Sequence, residues 1–414
     1  MNLECPQLIT EDGRTAAQAC RPLDVWVLDP WCRTPWYTAE LARALQIGGH
    51  SVRLVSPSYH LEPSYFAQER LHPRPGLLDV ASRLPFRNGA LSRCARLVEY
   101  GLNTAALAME VRANPPSVVH QQQCVLLERG RHHEVAFLRW ARSHGIPIVH
   151  TVHNLLPHSG RSYHREVFGR FYRSCDALIC HDSSTAESLG EQFDVDASRI
   201  HIVPHGPLFA HPPRATTQEC RRLLGLPENR QVYVILGVLA QYKGVDVLLR
   251  AWEKFLQSRD ARGTPLLLIA GDGPEVEKAK VRAQAGHLIA SGSVRADLHY
   301  IPAAQVPVYM QAADVLLYPY REITTSGALL SGLNYCKPII ASDLAAFRGY
   351  LIPDRNARLV TASDMESLVS ALLDLDTPGV FERLRIGSQS NAELQVQWST
   401  IAMQTTAVYQ SVAK

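Results

Sequence analysis

The sequence predicts an α/β protein made of two Rossmann-like, doubly wound domains that face each other across a cleft. Three observations point there. Short apolar runs rich in β-formers alternate with helical patterns along nearly the whole chain, the signature of right-handed βαβ units and a parallel sheet. The alternation occurs twice, once on each side of a proline-rich stretch. The 414 residues, 46% apolar and 20% charged, supply enough material for two cores of ordinary domain size.

In the first series, strands are expected at Val25–Leu28, Val52–Ser56, Ser117–His120, Ile148–Thr151, Ala177–Cys180 and His201–Val203. Helical patterns lie between them near Tyr37–Ile47, Leu91–Arg112, His133–Ser143, Arg165–Arg173 and Thr185–Gln192. The second series places strands at Val232–Val238, Leu266–Ala270, Leu298–Ile301, Val315–Tyr318 and Ile339–Ala341. Between the series, Pro204, Pro207, Pro212 and Pro213 exclude a helix or a central strand, so this segment reads as an extended linker. Domains at 1–206 and 207–390 follow. Ligands of open α/β sheets bind outside the carboxyl ends of the strands, so site residues are sought in the loops after strands.

Composition excludes several classes. The 42 Lys+Arg are nearly balanced by 39 Asp+Glu, and a net charge of +3 gives no field suited to nucleic acid. No apolar run reaches the roughly 18 residues of a membrane-spanning helix. Residues 1–22 lack the apolar segment of a signal peptide, so a cytoplasmic location is expected. The nine cysteines are scattered and form no Cys-x-x-Cys pair, unlike a disulfide framework or a zinc ribbon.

Four segments carry candidate chemistry. Gly237-Val238-Leu239-Ala240-Gln241-Tyr242-Lys243-Gly244 follows a strand and opens an amphipathic helix, offering backbone N–H groups and one ammonium to a phosphate or diphosphate. Lys243 as a solvated loop lysine and Gly244 as a turn residue is the plainer alternative. Pro319 to Gly327 ends in Thr324-Thr325-Ser326-Gly327 just before an apolar helical run over 328–335. Its hydroxyls and unpaired amides suit either an N-cap or an anion. Gly271-Asp272-Gly273-Pro274 reads mainly as a turn, because the dinucleotide glycine spacing is not met. In the first domain, strand Ile148–Thr151 runs into His153, which is placed to face a cleft ligand or to serve as a structural histidine. The spacing of His150, His153, His158 and His164 is not that of a zinc protease pair, and no metal site is expected.

Taken in this order, the segments resemble a GT-B glycosyltransferase of family four, the large retaining nucleotide-sugar group, over roughly Leu23 to Tyr409. The matching segments are Thr151-Val152-His153, His201-Ile202-Val203-Pro204-His205-Gly206, Gly237 to Gly244, Gly271 to Pro274, and Lys337-Pro338-Ile339-Ile340-Ala341-Ser342. The resemblance implies an acceptor-side first domain, a nucleotide-sugar-binding second domain and a C-terminal helix over 391–414, containing Trp398, that packs back on the first. It also implies a nucleoside diphosphate sugar as donor, with UDP and GDP both open and the base near Tyr300 and Ile301. No further cofactor is implied. His153 and Lys243 would be catalytic, and Gly237, Glu322, Thr325, Ser326 and Gly327 would bind the donor.

The departures are specific. The two donor-loop glutamates usual in the family fall at Ile323 and Ser331, leaving Glu322, one place early, as the stand-in. The expected diphosphate arginine is Val238, with Arg321 a possible replacement, and the N-terminal glycine-rich loop is replaced by residues 29–36. No Asp-x-Asp triplet sits in a plausible cleft loop, which agrees with a metal-independent transfer. The Pro319–Gly327 block resembles members that assemble polysaccharides, implying a glycan or polyprenyl-diphosphate-linked acceptor. An inactive GT-B binding partner and a sugar-nucleotide epimerase remain alternatives.

A last feature is basic. Arg70, Arg74, Arg83, Arg87, Arg93 and Arg96 are interleaved with Leu77, Leu78, Leu84, Phe86, Leu91 and Leu97, and Asp79 is the one acidic residue among them. Such a segment over 70–97 suits contact with the inner face of an anionic membrane, or else a solvated face over an ordinary core.

Overall fold

The computed structural model describes residues 21–31, 33–56, 62, 78, 80–81, 90–157, 160–209, 212–259, 263–323, 325–377 and 379–413. The first domain holds a six-stranded parallel sheet of β1 (Asp24–Leu28), β2 (Ser51–Val55), β3 (Val118–Gln121), β4 (Ile148–Thr151), β5 (Ala177–Cys180) and β6 (Ile200–Ile202). The second repeats the plan with β7 (Val232–Leu236), β8 (Leu266–Ala270), β9 (Val294–Asp297), β10 (Val315–Tyr318), β11 (Ile339–Ser342) and β12 (Ala357–Val360). The strand orders are β2-β1-β3-β4-β5-β6 and β12-β11-β10-β7-β8-β9, with neighbours parallel throughout. Central strands such as β7 and β8 are buried along their whole length because helices cover both faces, which is why they read as unbroken apolar runs.

Two expectations fail at sheet edges. The strand expected at Leu298–Ile301 lies instead at β9, and residues 298–301 form the loop beyond it. β9 is an edge strand whose Arg295 and Asp297 pair with each other, so its sequence, Val-Arg-Ala-Asp, lacks the apolar continuity of the interior. β12 occupies the opposite edge and was not anticipated, for the same reason. The run Val232–Val238 also ends early, at Leu236, and Val238 is exposed.

The helices that position the site are α1 (Pro35–Ile47), α2 (Ala90–Ala113), α3 (His133–Ser143), α4 (Val245–Ser258), α5 (Gly327–Leu333) and α6 (Trp398–Val412). α6 is last in the chain yet belongs to the core of the first domain. Trp398, Ile401, Val408 and Tyr409 pack with Val25, Val27, Leu41 and Val149. Tyr409 hydrogen-bonds His120 at 2.7 Å, and Thr406 hydrogen-bonds His50 at 2.9 Å. The linker crosses beneath it so closely that a Cβ on Gly206 would lie 2.4 Å from the Trp398 ring.

No described helix is long and apolar enough to cross a membrane. Of the basic segment, Arg70, Arg74, Arg83 and Arg87 lie outside the described residues, as does the Arg93 side chain.

Candidate active site

The second-domain wall is built from the turns after β7, β8 and β10. Gly271 has φ +144°, and a Cβ there would fall 1.9 Å from the Gly237 carbonyl oxygen. Gly244 has φ +68° and stands as close to Pro319, where a Cβ would lie 2.0 Å from the carbonyl oxygen. Only glycine permits these approaches. Backbone bonds then tie the turns together, with Leu239 N donating to Asp272 O and Arg321 N to Tyr242 O, each at 2.7 Å.

Lys243 sits at this junction, 6% exposed. Its Nζ donates to the Tyr320 hydroxyl and lies 4.1 Å from the centroid of that ring and 5.5 Å from that of Tyr242. Tyr320 in turn hydrogen-bonds Ser326, whose Oγ accepts from Leu329 N at 3.2 Å and caps α5. Among the described residues no carboxylate pairs with Lys243, and burial pushes its amine down to about 7.

Above Lys243 opens a cavity of about 280 Å³ between the domains. Gly237, Lys243, Asp272, Tyr300, Ile301, Gly327 and Ser331 line it from the second domain, and Trp36 and Phe209 from the first domain and the linker. Those two rings meet at 5.6 Å.

In the first domain, Tyr37, next to Trp36, belongs to a cluster of uncharged rings outside the cavity lining. His153 packs edge-on against Tyr37 at 4.7 Å, and Tyr37 also touches His181 and His205. Burial, reinforced by mutual repulsion, drives His153 well below the usual histidine range and His205 to about 3. His181 Nδ1 faces the Val203 carbonyl at 3.0 Å, so in the neutral ring that nitrogen carries the proton. Its Nε2 then accepts from His153 Nδ1 at 3.4 Å, and the Gln122 side-chain amide stands 3.0 Å from His153 Nε2.

Asp29 lies in the same domain. Its carboxylate accepts from Arg33 N at 3.0 Å and Thr34 N at 3.2 Å at the entrance to α1. The N-terminus of α1 therefore holds an internal carboxyl, which burial raises above the usual carboxylate range, where the glycine-rich loop is replaced.

Residues 35–206 match the model of Glycosyltransferase Family 4, and residues 230–377 that of the Glycosyl transferases group 1. The first spans β2 to β6 and the second β7 to β12. The chain belongs to the GT-B glycosyltransferases. It is 25% identical over 400 residues to the D-inositol 3-phosphate glycosyltransferase of Acidothermus cellulolyticus, covering 90% of this chain and 84% of the other. It is 31% identical over 194 residues to the phosphatidyl-myo-inositol mannosyltransferase of Mycobacterium leprae, covering 46% and 50%. Its fold matches the Anabaena Alr3699/HepE structure in complex with UDP and glucose at a TM-score of 0.72, with 12% identity over 94% of this chain and all of that one.

Of the site residues expected for this glycosyltransferase, Lys243, Gly237 and Gly327 line the interdomain cavity, and Ser326 is linked to Lys243 through Tyr320. Thr325 is half-buried and outside the lining; Thr324 lies outside the described residues. Glu322 is exposed and also outside the lining, so the structure does not bring the stand-in carboxylate to the cavity. Arg321 pairs with Asp246 at 2.6 Å. His153 packs against Tyr37 in the first domain and does not line the cavity. His150 and His164 bond the backbone carbonyls of Gln121 and Glu128, and His158 is outside the described residues.

Tyr320, His181, Tyr37 and Gln122 are the participants that sequence reasoning passed over. His181 directly follows β5, so the rule that singled out His153 after β4 applies to it equally. Tyr320 lies inside the donor-loop segment, where the hydroxyl-rich end drew attention away from it.

Proposed function

We propose that this glycosyltransferase moves a sugar from a nucleoside diphosphate sugar to a glycan or lipid-linked acceptor in polysaccharide assembly, at the cytoplasmic face of a membrane. Lys243 carries the reading: a buried lysine with no carboxylate partner among the described residues stands at the wall of an interdomain cavity. A buried amine half-neutral near pH 7 becomes a full ammonium when an anion arrives. As the acceptor hydroxyl oxygen bonds to the anomeric carbon and gives up its proton to the departing diphosphate, the bond from that carbon to the diphosphate breaks, its electron pair passes to the phosphate oxygen, and the Lys243 ammonium stabilises that charge. The N-terminal amides beside Thr325, Ser326 and Gly327 act with it. No metal enters this scheme.

The occupied N-terminus of α1 supports placing the diphosphate on the second-domain side. Gly237 leaves room for the diphosphate beside Lys243, whose Nζ would lie 3.4 Å from any Cβ at that position. Tyr300 and Ile301 form the base end, while Ser331, whose hydroxyl bonds Gly327 O at 2.6 Å, stands where the family's second glutamate is usual. His153 acts as a neutral hydrogen-bond partner that exchanges Gln122 for a sugar hydroxyl. Glu322 reaches the donor only if its loop turns inward on binding. The relatives named for inositol phosphate and phosphatidylinositol acceptors support an acceptor bearing phosphate. A thermal-shift panel of UDP- and GDP-sugars followed by product detection tests the reading. Stabilisation by one donor class, lost in Lys243→Ala, is the expected result; no stabilisation by any donor contradicts it.

A further inference from the structure

We infer that the first domain carries a slot for the aliphatic chain of a phosphate-bearing lipid acceptor, running outward from the cleft between α2 and α3. The inference rests on the transferase reading and adds the chemical class of the acceptor. The slot has two parts. A narrow cavity of about 40 Å³ lies at the carboxyl ends of β1, β2 and β3, where Leu28, Val55 and Gln121 line it. A groove of about 560 Å³ lies between α2 and α3, and Tyr100, Thr104 and Phe137 line both spaces. The groove therefore adjoins the cavity at the end of the sheet that faces the cleft, with Tyr100, Thr104 and Phe137 between them.

The groove follows α2 from Leu97 to Ala108, about 16 Å at roughly 1.5 Å per residue. Gly101, Ala105 and Ala108 keep its floor open, and Phe137 and Trp140 of α3 form the far wall. Cations mark both parts. Arg96 and Glu134 line the cleft-side cavity, where burial raises the Glu134 carboxyl to about 8 and so leaves it mostly uncharged at neutral pH; Arg131 lines the groove, and the Arg112 guanidinium lies 5.4 Å from the Trp140 ring centroid. An apolar slot flanked by fixed positive charge is complementary to a hydrocarbon chain carrying phosphate, and not to a free sugar or an uncharged glycan.

A second observation agrees. Leu91, Val98, Leu102 and Met109 are 75%, 64%, 55% and 66% exposed. Their spacing puts them on one face of α2, next to the face that lines the groove. A chain drawn from a bilayer would meet this stripe before entering the slot.

The test uses the full chain and 12-bromododecyl phosphate, whose bromine quenches tryptophan at contact range. Saturable quenching is expected, lost in Trp140→Phe, and weaker by about tenfold for 12-bromododecanol. Ala108→Phe on α2 and Ala136→Phe on α3 fill the slot from opposite sides. Each should weaken the bromo-phosphate by about tenfold while leaving thermal stabilisation by the nucleotide sugar intact. Unsaturable quenching, or equal quenching in both filled variants, overturns the slot. Full displacement of the probe by phosphatidylglycerol vesicles overturns its assignment to the acceptor. Loss of donor stabilisation in the wild type contradicts the transferase reading instead, so the two failures are separable.

Discussion

Lys243 and Tyr320, 77 residues apart in the chain, are joined by a hydrogen bond from the lysine Nζ to the tyrosine hydroxyl, with the ring centroid 4.1 Å from the nitrogen. The tyrosine holds the amine at the cavity wall without neutralising it, since burial keeps the phenol well above its usual range and hence uncharged. The site is thus set for an anion supplied from outside.

Removing the amine should separate catalysis from folding. Lys243→Met is expected to lower kcat by about 10²- to 10³-fold, the range for losing one charge-stabilising group. The folded apo protein should be as stable as wild type or more so at pH 7, because a buried, unpaired amine opposes folding. Urea unfolding beside steady-state turnover checks both halves.

Donor binding should take up a proton. Free Lys243 titrates at about 7, so at pH 8 it is mostly neutral and a bound diphosphate returns it to the ammonium. Calorimetry in buffers of different ionisation heat should show an uptake near one proton per donor at pH 8 and near none at pH 6. Donor affinity therefore falls as pH rises through 7. Lys243→Met should abolish the difference between the buffers.

The buried histidines make the first domain acid-labile. His120 and His205 are held down to about 3 and His150 to about 4, chiefly by burial, and all three are neutral in the folded state. Below pH 6.5 the unfolded chain binds protons that the folded chain does not. Stability is then lost as pH falls from 6.5 toward 4, by up to about 1.4 kcal/mol per pH unit for each histidine. Glu134 works in the opposite direction. Burial raises its carboxyl to about 8, so it favours the folded state as pH falls from 8 toward 4.5. Three histidines outweigh one glutamate, and denaturant midpoints at pH 7, 6 and 5 should decline in that order.

Gly206 tests the return of α6 to the first domain. A Cβ there would lie 2.4 Å from Trp398 and 2.8 Å from Ile401, both packed in the first-domain core. Gly206→Ala should destabilise by roughly 2 kcal/mol or more, seen as a lower melting temperature with altered tryptophan emission.

Much of this arrangement is legible in the residues, and what is not follows a physical pattern. β5 and β8 read directly because strands covered on both faces must be continuously apolar. β9 and β12 do not, because edge strands tolerate Arg295, Asp297 and Arg358. In the site, the glycines and Lys243 are legible because a tight approach of three turns leaves few residue choices. The contacts of Lys243 with Tyr320, and of His153 with His181 and Tyr37, join separate strand ends, and no local spacing encodes them. Glu322 shows the converse limit: its position in the chain suited a donor contact, but its side chain is exposed.

The most direct measurement is a crystal structure with the bound nucleoside diphosphate. The account places a phosphate oxygen about 3 Å from Lys243 Nζ, in the cavity lined by Gly237 and Gly327. A diphosphate held elsewhere, with Lys243 still bonded only to Tyr320, would contradict it.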